Sequence, residues 1–448
     1  MNYFSVLEQF LPQLKELDQW RNEYGESASD LEQNDAAAAD AIGALLERLK
    51  GNYPFHHPAY AGQMLKPPHP VAWLAYLLTA TINPNNHALD GGPPTSEMEK
   101  EVMQQLAAMI GYDKERFLGH LTSGGTMANL EALWVASRIH PGLKIAYSAN
   151  AHYTHSRMCE VIRQPHLLVP LDEQQLPDLN WLKKHHLEIG TLVITLGTTG
   201  LGIVEPLAEL ADFCESHGIR MHIDAAYGGF FTLIKDHLPS SKHWEQMHRA
   251  DSIVIDPHKH GLQPYGCGAV LFNDPDVARF YQHDSPYTYF SSEDLHLGEI
   301  SLECSRAGAS AAALWTTLRY LPLSESGLGK ILADCREAAV QLAEKIRNHD
   351  SFTLFTDPEL DIVAFFPKAN SVSKISLKSK SIFEKGIDRE PGKDLHVSLF
   401  TIPSNQISQI DDSVTVDEDS CVILRSVLMK PEHLSFVDEY MKRIGSLL

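Results

Sequence analysis

The stretch SIVIDPHKHG, residues 252–261, predicts a buried strand that ends abruptly in polar residues. Its apolar run, residues 252–255, is short and is closed by Asp, Pro, His and Gly, which is typical of a strand at its end. Lys259 follows, flanked by His258 and His260. A lysine at this point lies where the sheet stops, so we expect a functional site beside it.

Other apolar runs of similar length occur between about residues 120 and 275, and helical patterns such as residues 204–218 separate some of them. The strand candidates are KIAYSA (144–149), TLVITLG (191–197), IRMHIDA (219–225), SIVID (252–256) and GAVLF (268–272). Alternating strands and helices predict an α/β fold with a mostly parallel sheet.

The chain changes character after about residue 320. A long helical pattern over residues 330–347 precedes strand-like pieces such as SFTLFT, DIVAFFP and CVILRSVLM, which predict a separate α+β domain. We expect three parts: an N-terminal helical segment that serves in dimerisation (1–85), a large domain with the site (86–320) and a small C-terminal domain (321–448).

One helix is predicted from both of its ends. In TSEMEKEVMQQLAAMIGY, residues 95–112, Ser96 and Glu99 have the spacing of a capping box, and Gly111 has the position of a helix C-cap. We therefore expect Ser96 to begin the helix and Gly111 to end it.

Composition excludes several classes of protein. The 448 residues carry a formal net charge of −21, which disfavours nucleic acid and anionic lipid as partners. The six cysteines form no CxxC pair, so we expect reduced thiols in a cytoplasmic protein and neither a disulfide framework nor a metal site. The N-terminus lacks a signal-peptide pattern, and the apolar run at 71–82 is too short to span a membrane, so it predicts a buried helix.

Four other strand ends carry residues suited to a ligand site. Gly124, Gly125 and Thr126 form a turn before a helix, which would offer backbone N–H groups and a hydroxyl to a phosphate. The further candidates are Asp224 in MHIDAAYGG, His152 in SANAHYTHSR, and Thr198 and Thr199 in LGTTG. Taken singly, the turn could be an ordinary capped turn, and Asp224 a helix cap or half of a structural ion pair.

Together these residues match the needs of pyridoxal 5′-phosphate (PLP). PLP has a phosphate, a ring nitrogen that pairs with a carboxylate, a flat ring and an aldehyde that captures a lysine. Ligands of open α/β sheets bind beyond the carboxyl ends of the strands, where these residues are predicted. We therefore interpret Lys259 as the Schiff-base lysine, with His258 within reach of the phosphate or of a substrate carboxylate.

The motifs TSGGTMANL, AHYT, LGTTG, HIDAAYGG and DPHK, in this order and spacing, resemble those of the group II PLP-dependent amino-acid decarboxylases. The resemblance runs from roughly residue 50 to 430 and includes the tyrosine, aromatic amino-acid and glutamate decarboxylases. It implies a fold-type I PLP-dependent transferase-like architecture, with a seven-stranded, mostly parallel sheet. It also implies a carboxy-lyase that releases CO2 and a primary amine.

The resemblance also implies a role for each matching residue. Lys259 would bind the cofactor's aldehyde, Asp224 would pair with the ring nitrogen, His152 would stack on the ring, and Thr199 would lie near both. The phosphate would be held by the turn of Gly124, Gly125 and Thr126 and by His258. Arg425, in LRSVLMKP, is the candidate for binding the α-carboxylate of the substrate.

The proton donor and the substrate are less well defined. Tyr265 is favoured as the donor, and Tyr287 and Tyr289, in the polar stretch 281–298, are rivals, although the alternative for all three is simple packing. Gln63 falls where glutamate-type relatives place a substrate-contacting glutamine, whereas NPNNHALDGGPPTS and HIDAAYGG are closer to the tyrosine branch. An aromatic amino acid is therefore favoured as substrate and an acidic one is second.

Two alternatives remain open beside this interpretation. One is a PLP-dependent carbon–carbon lyase of the same fold, and the other is a catalytically inactive protein that kept the fold. The chain also departs from the family at two positions: many relatives have an aromatic residue where His260 follows the lysine, and many have Glu where Met127 stands.

The N-terminal residues predict a homodimer. Apolar side chains recur at helical spacing in the first 14 residues and in AAAADAIGALLERLK (36–50), and such faces need a partner. The resemblance implies that this region packs on a second subunit, with the active sites at the interface and loops such as 281–298 reaching the neighbouring site. The alternative is that these helices pack on their own large domain.

Overall fold

The computed structural model describes residues 3–23, 35–282, 301–387 and 392–448. The helices in these ranges, other than short 3-10 and π turns, are α1 (Tyr3–Gln9), α2 (Leu11–Asn22), α3 (Asp35–Leu49), α4 (Pro70–Ala80), α5 (Pro93–Ile110), α6 (Gly125–Ile139), α7 (Thr154–Val161), α8 (Leu179–His185), α9 (Leu207–His217), α10 (Ser241–Trp244), α11 (Gly308–Tyr320), α12 (Lys330–Arg347), α13 (Val372–Ile387), α14 (Asn405–Ile410) and α15 (His433–Gly445).

Eleven strands in the described residues form two sheets. The larger sheet contains β1 (Leu118–Thr122), β2 (Lys144–Ser148), β3 (His166–Val169), β4 (Ile189–Thr195), β5 (Arg220–Asp224), β6 (Ser252–Ile255) and β7 (Gly268–Phe272). The smaller sheet contains β8 (Phe352–Leu354), β9 (Ile362–Pro367), β10 (Ser398–Pro403) and β11 (Ser420–Val427).

The larger sheet has the order β1-β7-β6-β5-β4-β2-β3. Strands β2 to β6 pair in parallel, while β7 runs antiparallel to both of its neighbours, β6 and β1. The predicted α/β fold with a mostly parallel seven-stranded sheet is therefore confirmed. The strands β1 and β3 are additions to the predicted set, and both are short.

The smaller sheet is antiparallel throughout, with the order β10-β11-β9-β8. Helices α12 and α15 bury apolar side chains, such as Leu342 and Tyr440, in one core cluster with residues of this sheet. This confirms a smaller α+β unit after about residue 320. The division of the chain at residues 85 and 320 stays a prediction.

The predicted capping box is wrong, although the predicted helix end is correct. Helix α5 begins at Pro93, so Ser96 lies inside it, and Gly111 ends it with a φ of 85°. Glu99 is 1% exposed. It accepts hydrogen bonds from Leu121 N at 2.9 Å and Asn86 Nδ2 at 2.7 Å, and it pairs with Arg306. Its carboxylate therefore ties α5 to β1 rather than capping its own helix.

The N-terminal helices differ in how they pack. Val6 of α1 is buried, and Tyr3 donates a hydrogen bond of 2.5 Å to Pro68 O, so α1 rests on its own chain. Helix α3 has no buried residue, and Ile42, Leu45 and Leu46 are about half exposed. Among the described residues, no helix is long and apolar enough to cross a membrane.

Two buried histidines make the fold sensitive to acid. His222 on β5 is held between Asn129 Oδ1 and Ser252 Oγ, each 2.9 Å away, and burial lowers its pKa to about 3. Burial lowers the pKa of His433 to about 3 in the same way. Because folding lowers these two pKa values, the native state resists protonation. The contribution of each histidine to stability is therefore fully present above the unfolded pKa of 6.5 and is lost as pH falls towards 3.

We expect the free energy of unfolding to fall by about 1.4 kcal/mol per pH unit for each of these histidines below pH 6.5. Urea titrations at pH 7.5, 6.0 and 5.0 measure this slope. The variant His222→Gln has no imidazole to protonate at this position. Its slope should therefore be smaller by up to about 1.4 kcal/mol per pH unit, the contribution of one proton. An unchanged slope would show that His222 is not a source of the acid sensitivity.

Candidate active site

A cavity of about 310 Å³ opens at the carboxyl ends of β4, β5 and β6. All eight residues that the sequence assigns to cofactor binding line it: Gly124, Gly125, Thr126, His152, Thr199, Asp224, His258 and Lys259. They come from five separate segments, and the larger sheet brings these segments together. The strand ends therefore meet as expected for an open α/β sheet.

The turn at residues 124–126 is shaped by its glycines. Gly124 has a φ of 149°, and a Cβ there would lie 3.2 Å from His258 Cε1. A Cβ on Gly125 would lie 2.7 Å from Asp256 Oδ2. Helix α6 begins at Gly125, so its first backbone N–H groups and the Thr126 hydroxyl border the cavity. This arrangement is suited to a phosphate group.

Asp224 ends β5 and is 6% exposed. Its Oδ2 lies 2.9 Å from His155 Nε2, and its Oδ1 accepts a hydrogen bond of 3.1 Å from Ala226 N. Burial alone would raise the pKa of Asp224, but the hydrogen bond and charge of His155 hold it well below the usual range. Asp224 is therefore an ionised carboxylate that faces the cavity, as a protonated ring nitrogen requires.

His155 is a site residue that the sequence analysis missed. It is fully buried on α7, three residues after His152, and its contact with Asp224 spans 69 positions of the chain. The only local signal is the second histidine in AHYTHSR. His152 itself precedes α7, and its Nδ1 lies 2.8 Å from Thr154 Oγ1. Burial lowers the pKa of His152, so its imidazole is neutral near pH 7.

Lys259 extends from the turn after β6. Its Nζ lies 2.9 Å from Asp256 Oδ2, and His258 Nε2 lies 3.5 Å from the same oxygen. Asp256 is 2% exposed and also lines the cavity, although the sequence analysis gave it no role. Burial lowers the pKa of His258. The turn thus places an amine and an imidazole at the cavity wall.

A second cavity of about 270 Å³ adjoins the first and shares His152 and Thr199 with it. Arg425 of β11 lines this second cavity and is 8% exposed. Its Nη1 donates a hydrogen bond of 3.2 Å to Ser398 Oγ, while its Nε is buried with no hydrogen-bond partner among the described residues. A guanidinium held in this way is suited to a carboxylate ligand.

Two predicted residues are not brought to these cavities within the described chain. Gln63 is exposed and lines neither of them. Tyr265 is 55% exposed and donates a hydrogen bond of 3.1 Å to Met64 O. Its ring lies 4.8 Å from that of His258, but it too lines neither cavity. Tyr287 and Tyr289 lie outside the described residues.

The cavity fits PLP by the chemistry of its lining. The turn of Gly124 and Gly125 leaves space that a Cβ would fill, which suits the phosphate of PLP. The ionised carboxylate of Asp224 suits its protonated ring nitrogen. The amine of Lys259 is available to an aldehyde. Within the described residues, no group of three or more His, Cys, Asp or Glu side chains could hold a metal ion.

A family model described as the pyridoxal-dependent decarboxylase conserved domain matches residues 50–368. The chain is 28% identical over 306 residues to a probable L-tyrosine/L-aspartate decarboxylase of Methanopyrus kandleri, covering 67% of this chain and 80% of that protein. It is 26% identical over 339 residues to an L-aspartate decarboxylase of Thermococcus kodakarensis, covering 74% and 85%.

The fold is similar to those of solved decarboxylases. Mouse CSAD superposes with a TM-score of 0.78 at 20% identity, covering 99% of this chain and 97% of that one. The Oryza sativa TDC structure with PLP and tryptamine superposes with a TM-score of 0.79 at 16% identity, with the same coverage. The family model spans more than half of the chain, which is therefore a member of the pyridoxal-dependent decarboxylase family and a PLP-dependent amino-acid decarboxylase.

Proposed function

We propose that the enzyme removes the α-carboxylate of an aromatic L-amino acid. The observation that carries this proposal is the pairing of the two cavities. The first holds Lys259, and the second holds the buried guanidinium of Arg425, with His152 and Thr199 between them. An amino acid joined to a cofactor in the first cavity would direct its carboxylate towards Arg425.

Each residue in the first cavity has a physical task in this proposal. When bound, PLP supplies an aldehyde for an amino group and a ring that accepts an electron pair. Lys259 holds the cofactor through its amine, and the glycine turn with His258 binds the phosphate. Asp224, kept ionised by His155, stabilises a proton on the ring nitrogen. His152, which lines the same cavity, would pack against the ring.

Arg425 acts on the substrate. The bond to be broken must stand perpendicular to the plane of the cofactor ring, so that its electron pair overlaps with the ring system. A charge-assisted contact between Arg425 and the α-carboxylate would fix that direction and contribute to the rate by orientation. Only Ser398 contacts the Arg425 side chain by a described hydrogen bond, which leaves its other donors for the substrate.

The lining of the second cavity favours an aromatic substrate. Apolar and aromatic side chains dominate it, including Tyr153, Leu201 and Phe400, and Arg425 is the one cation among those of its lining residues that the structure describes. If Arg425 binds the α-carboxylate, a second carboxylate would have no cation there. An acidic amino acid remains the second candidate because relatives carry the name L-aspartate decarboxylase. Measuring CO2 release from L-tyrosine and L-aspartate in parallel distinguishes the two.

Replacing Lys259 tests its role directly. Lys259→Ala should abolish the visible absorption of lysine-bound cofactor and the release of CO2, because none of the other described residues that line the cavity offers an amine. Circular dichroism should remain that of the wild type. Lys242→Ala removes an exposed lysine as a control and should change neither signal. Cofactor absorption that persists on another lysine of the Lys259 variant would contradict the assignment.

Asp224→Asn should still bind cofactor but lose turnover by about a thousandfold, or ~4 kcal/mol of barrier, because a neutral amide cannot hold the ring proton. His155→Gln keeps a side-chain N–H that can reach Asp224, so its loss should stay within about tenfold. For both variants, steady-state CO2 release measures turnover and visible absorption measures cofactor binding. A near-normal kcat in Asp224→Asn would reassign this carboxylate to a structural role.

Tyr265 and Gln63 keep the roles predicted from sequence, as proton donor and substrate contact. Neither is supported by the cavities of one chain, so both proposals depend on a partner subunit or on movement of their segments. We also propose a cytoplasmic location, which the six free cysteines support because a reducing compartment keeps thiols free.

We propose that the enzyme is a homodimer. Support comes from α3, whose 15 residues include none that is buried, while Ile42, Leu46 and Leu49 are each more than half exposed. An apolar helix face of this kind needs a cover, and a second copy supplies one by symmetry.

Sedimentation at low micromolar concentration should give about twice the chain mass of 50.0 kDa. Replacing Ile42 and Leu46 together by Asp should dissociate the dimer, because two charges would be buried in the contact. Leu187→Asp changes another exposed apolar residue, which is 82% exposed, and should leave the mass unchanged. An active wild-type monomer would contradict the proposal.

A further inference from the structure

A buried polar cluster lies between the lysine turn and the smaller sheet. His260 follows Lys259 in the chain, Asp361 precedes β9, and Tyr227 lies three residues after Asp224. His260 Nε2 lies 3.1 Å from Asp361 Oδ2, and Tyr227 donates a hydrogen bond of 2.5 Å to Asp361 Oδ1. His260 and Asp361 are fully buried, and Tyr227 is 3% exposed.

The protonation of this cluster is fixed near neutral pH. Burial lowers the pKa of His260 and raises that of Tyr227 well above its usual value, so the imidazole and the phenol are neutral. Burial would raise the pKa of Asp361, but His260 and Tyr227 bring it below its usual value. The Asp361 carboxylate thus accepts a hydrogen bond from Tyr227 and faces the His260 imidazole at 3.1 Å, a contact too bent to count as a hydrogen bond, and the His260 ring packs 5.0 Å from that of Phe231.

Asp361 is also tied to the strand of Arg425. Leu428, just after β11, donates its backbone N–H to Asp361 O at 2.8 Å. In the ladder between β9 and β11, Ile362 is opposite Val427, and Ala364 is opposite Arg425. The backbone of Asp361 is therefore fixed relative to Arg425, while its side chain is fixed relative to the residue beside Lys259.

We propose that His260 and Asp361 are positioning residues that set the distance and direction between Lys259 and Arg425. This inference rests on the proposed roles of Lys259 and Arg425. If the contact between His260 and Asp361 were loosened, the bond from Cα to the α-carboxylate would no longer be held perpendicular to the cofactor ring. The Cα–H bond would then be able to adopt that direction instead. A variant that lacks this contact should therefore react more slowly and should also break the Cα–H bond more often relative to the bond to the carboxylate.

The identity of residue 260 agrees with this role. The residue is a histidine, and its Nε2 is the imidazole nitrogen that lies 3.1 Å from the buried Asp361 carboxylate. A buried carboxylate without its partner is costly, so His260 and Asp361 depend on each other.

Two substitutions at one position separate the contact from simple packing. His260→Phe keeps a ring and removes the donor, whereas His260→Gln keeps a side-chain N–H close to the position of Nε2. Four quantities are measured for each: CO2 release from L-tyrosine and L-aspartate, exchange of the α-hydrogen of recovered amino acid in D2O, the Kd for PLP, and backbone amide exchange over residues 256–262.

For His260→Phe we expect CO2 release to fall by about tenfold or more and the ratio of α-hydrogen exchange to CO2 release to rise by about fivefold. The Kd for PLP and amide exchange over 256–262 should also rise. His260→Gln should return each quantity to within about threefold of the wild type. Asp251→Asn removes a carboxylate near Arg220, at the other end of β5, and should leave the ratio unchanged.

A His260→Phe enzyme with wild-type CO2 release and exchange ratio would overturn the inference, as would a His260→Gln enzyme as impaired as His260→Phe. If His260→Phe does not fold, Asp361→Asn is measured in its place, and an unchanged ratio overturns the inference equally. If the wild type releases no CO2 from either amino acid, the substrate proposal fails. The positioning role of His260 and Asp361 is then judged on the Kd for PLP and amide exchange alone, and equal values in wild type and variant overturn it.

Discussion

The site depends on a buried carboxylate at the end of the central strand β5. Asp224 can stay ionised there only if other groups replace the water it has lost, because an unpaired buried charge costs several kcal/mol. His155 and the backbone N–H of Ala226 supply that replacement. Helix α7 must therefore dock with His155 against Asp224, and His152 then lies at the cavity wall.

The register of the sheet brings the other groups to the same place. Thr195 of β4 pairs with Asp224 of β5, which pairs with Val254 of β6, so the three strands end at one level. The antiparallel strand β7 then contributes close packing. A Cβ on Gly268 would lie 2.5 Å from Gly124 C, so the glycine turn can approach the sheet only at a glycine. The anion site and the lysine turn thus depend on the same small residues.

Much of this arrangement could be predicted from sequence because it is local. Lys259 follows an apolar run and Asp224 ends one, the glycine turn is marked by its own residues, and the carboxyl ends of parallel strands meet. His155 and Asp361 were missed because their contacts are not local, whereas Asp256 stands in the DPHK motif, three residues before Lys259, and was given no role there. Asp361 meets Tyr227 across 134 positions.

Two errors have equally physical causes. The spacing of Ser96 and Glu99 suits a capping box, but it equally places a carboxylate one turn into a helix, where tertiary contacts with Asn86 and Arg306 determine its role. The strand β1 was missed because Gly and His interrupt the apolar run in LGHLT, and β3 was missed because HLLV is mostly only half-buried and therefore lacks the signal of a buried strand. Pairing with neighbouring strands, rather than their own periodicity, makes them strands.

Arg425 shows what the site requires of its substrate. Its side chain is almost entirely removed from water, with one neutral hydroxyl as a described hydrogen-bond partner and a buried Nε that has none. A buried cation with unused donors is costly until an anion arrives, so a bound carboxylate gains more there than at an exposed arginine. That gain is available for one carboxylate only. In the proposed function this gain would orient the bond that breaks, while Leu201 and Phe400, which line the same cavity, would face the rest of the amino acid.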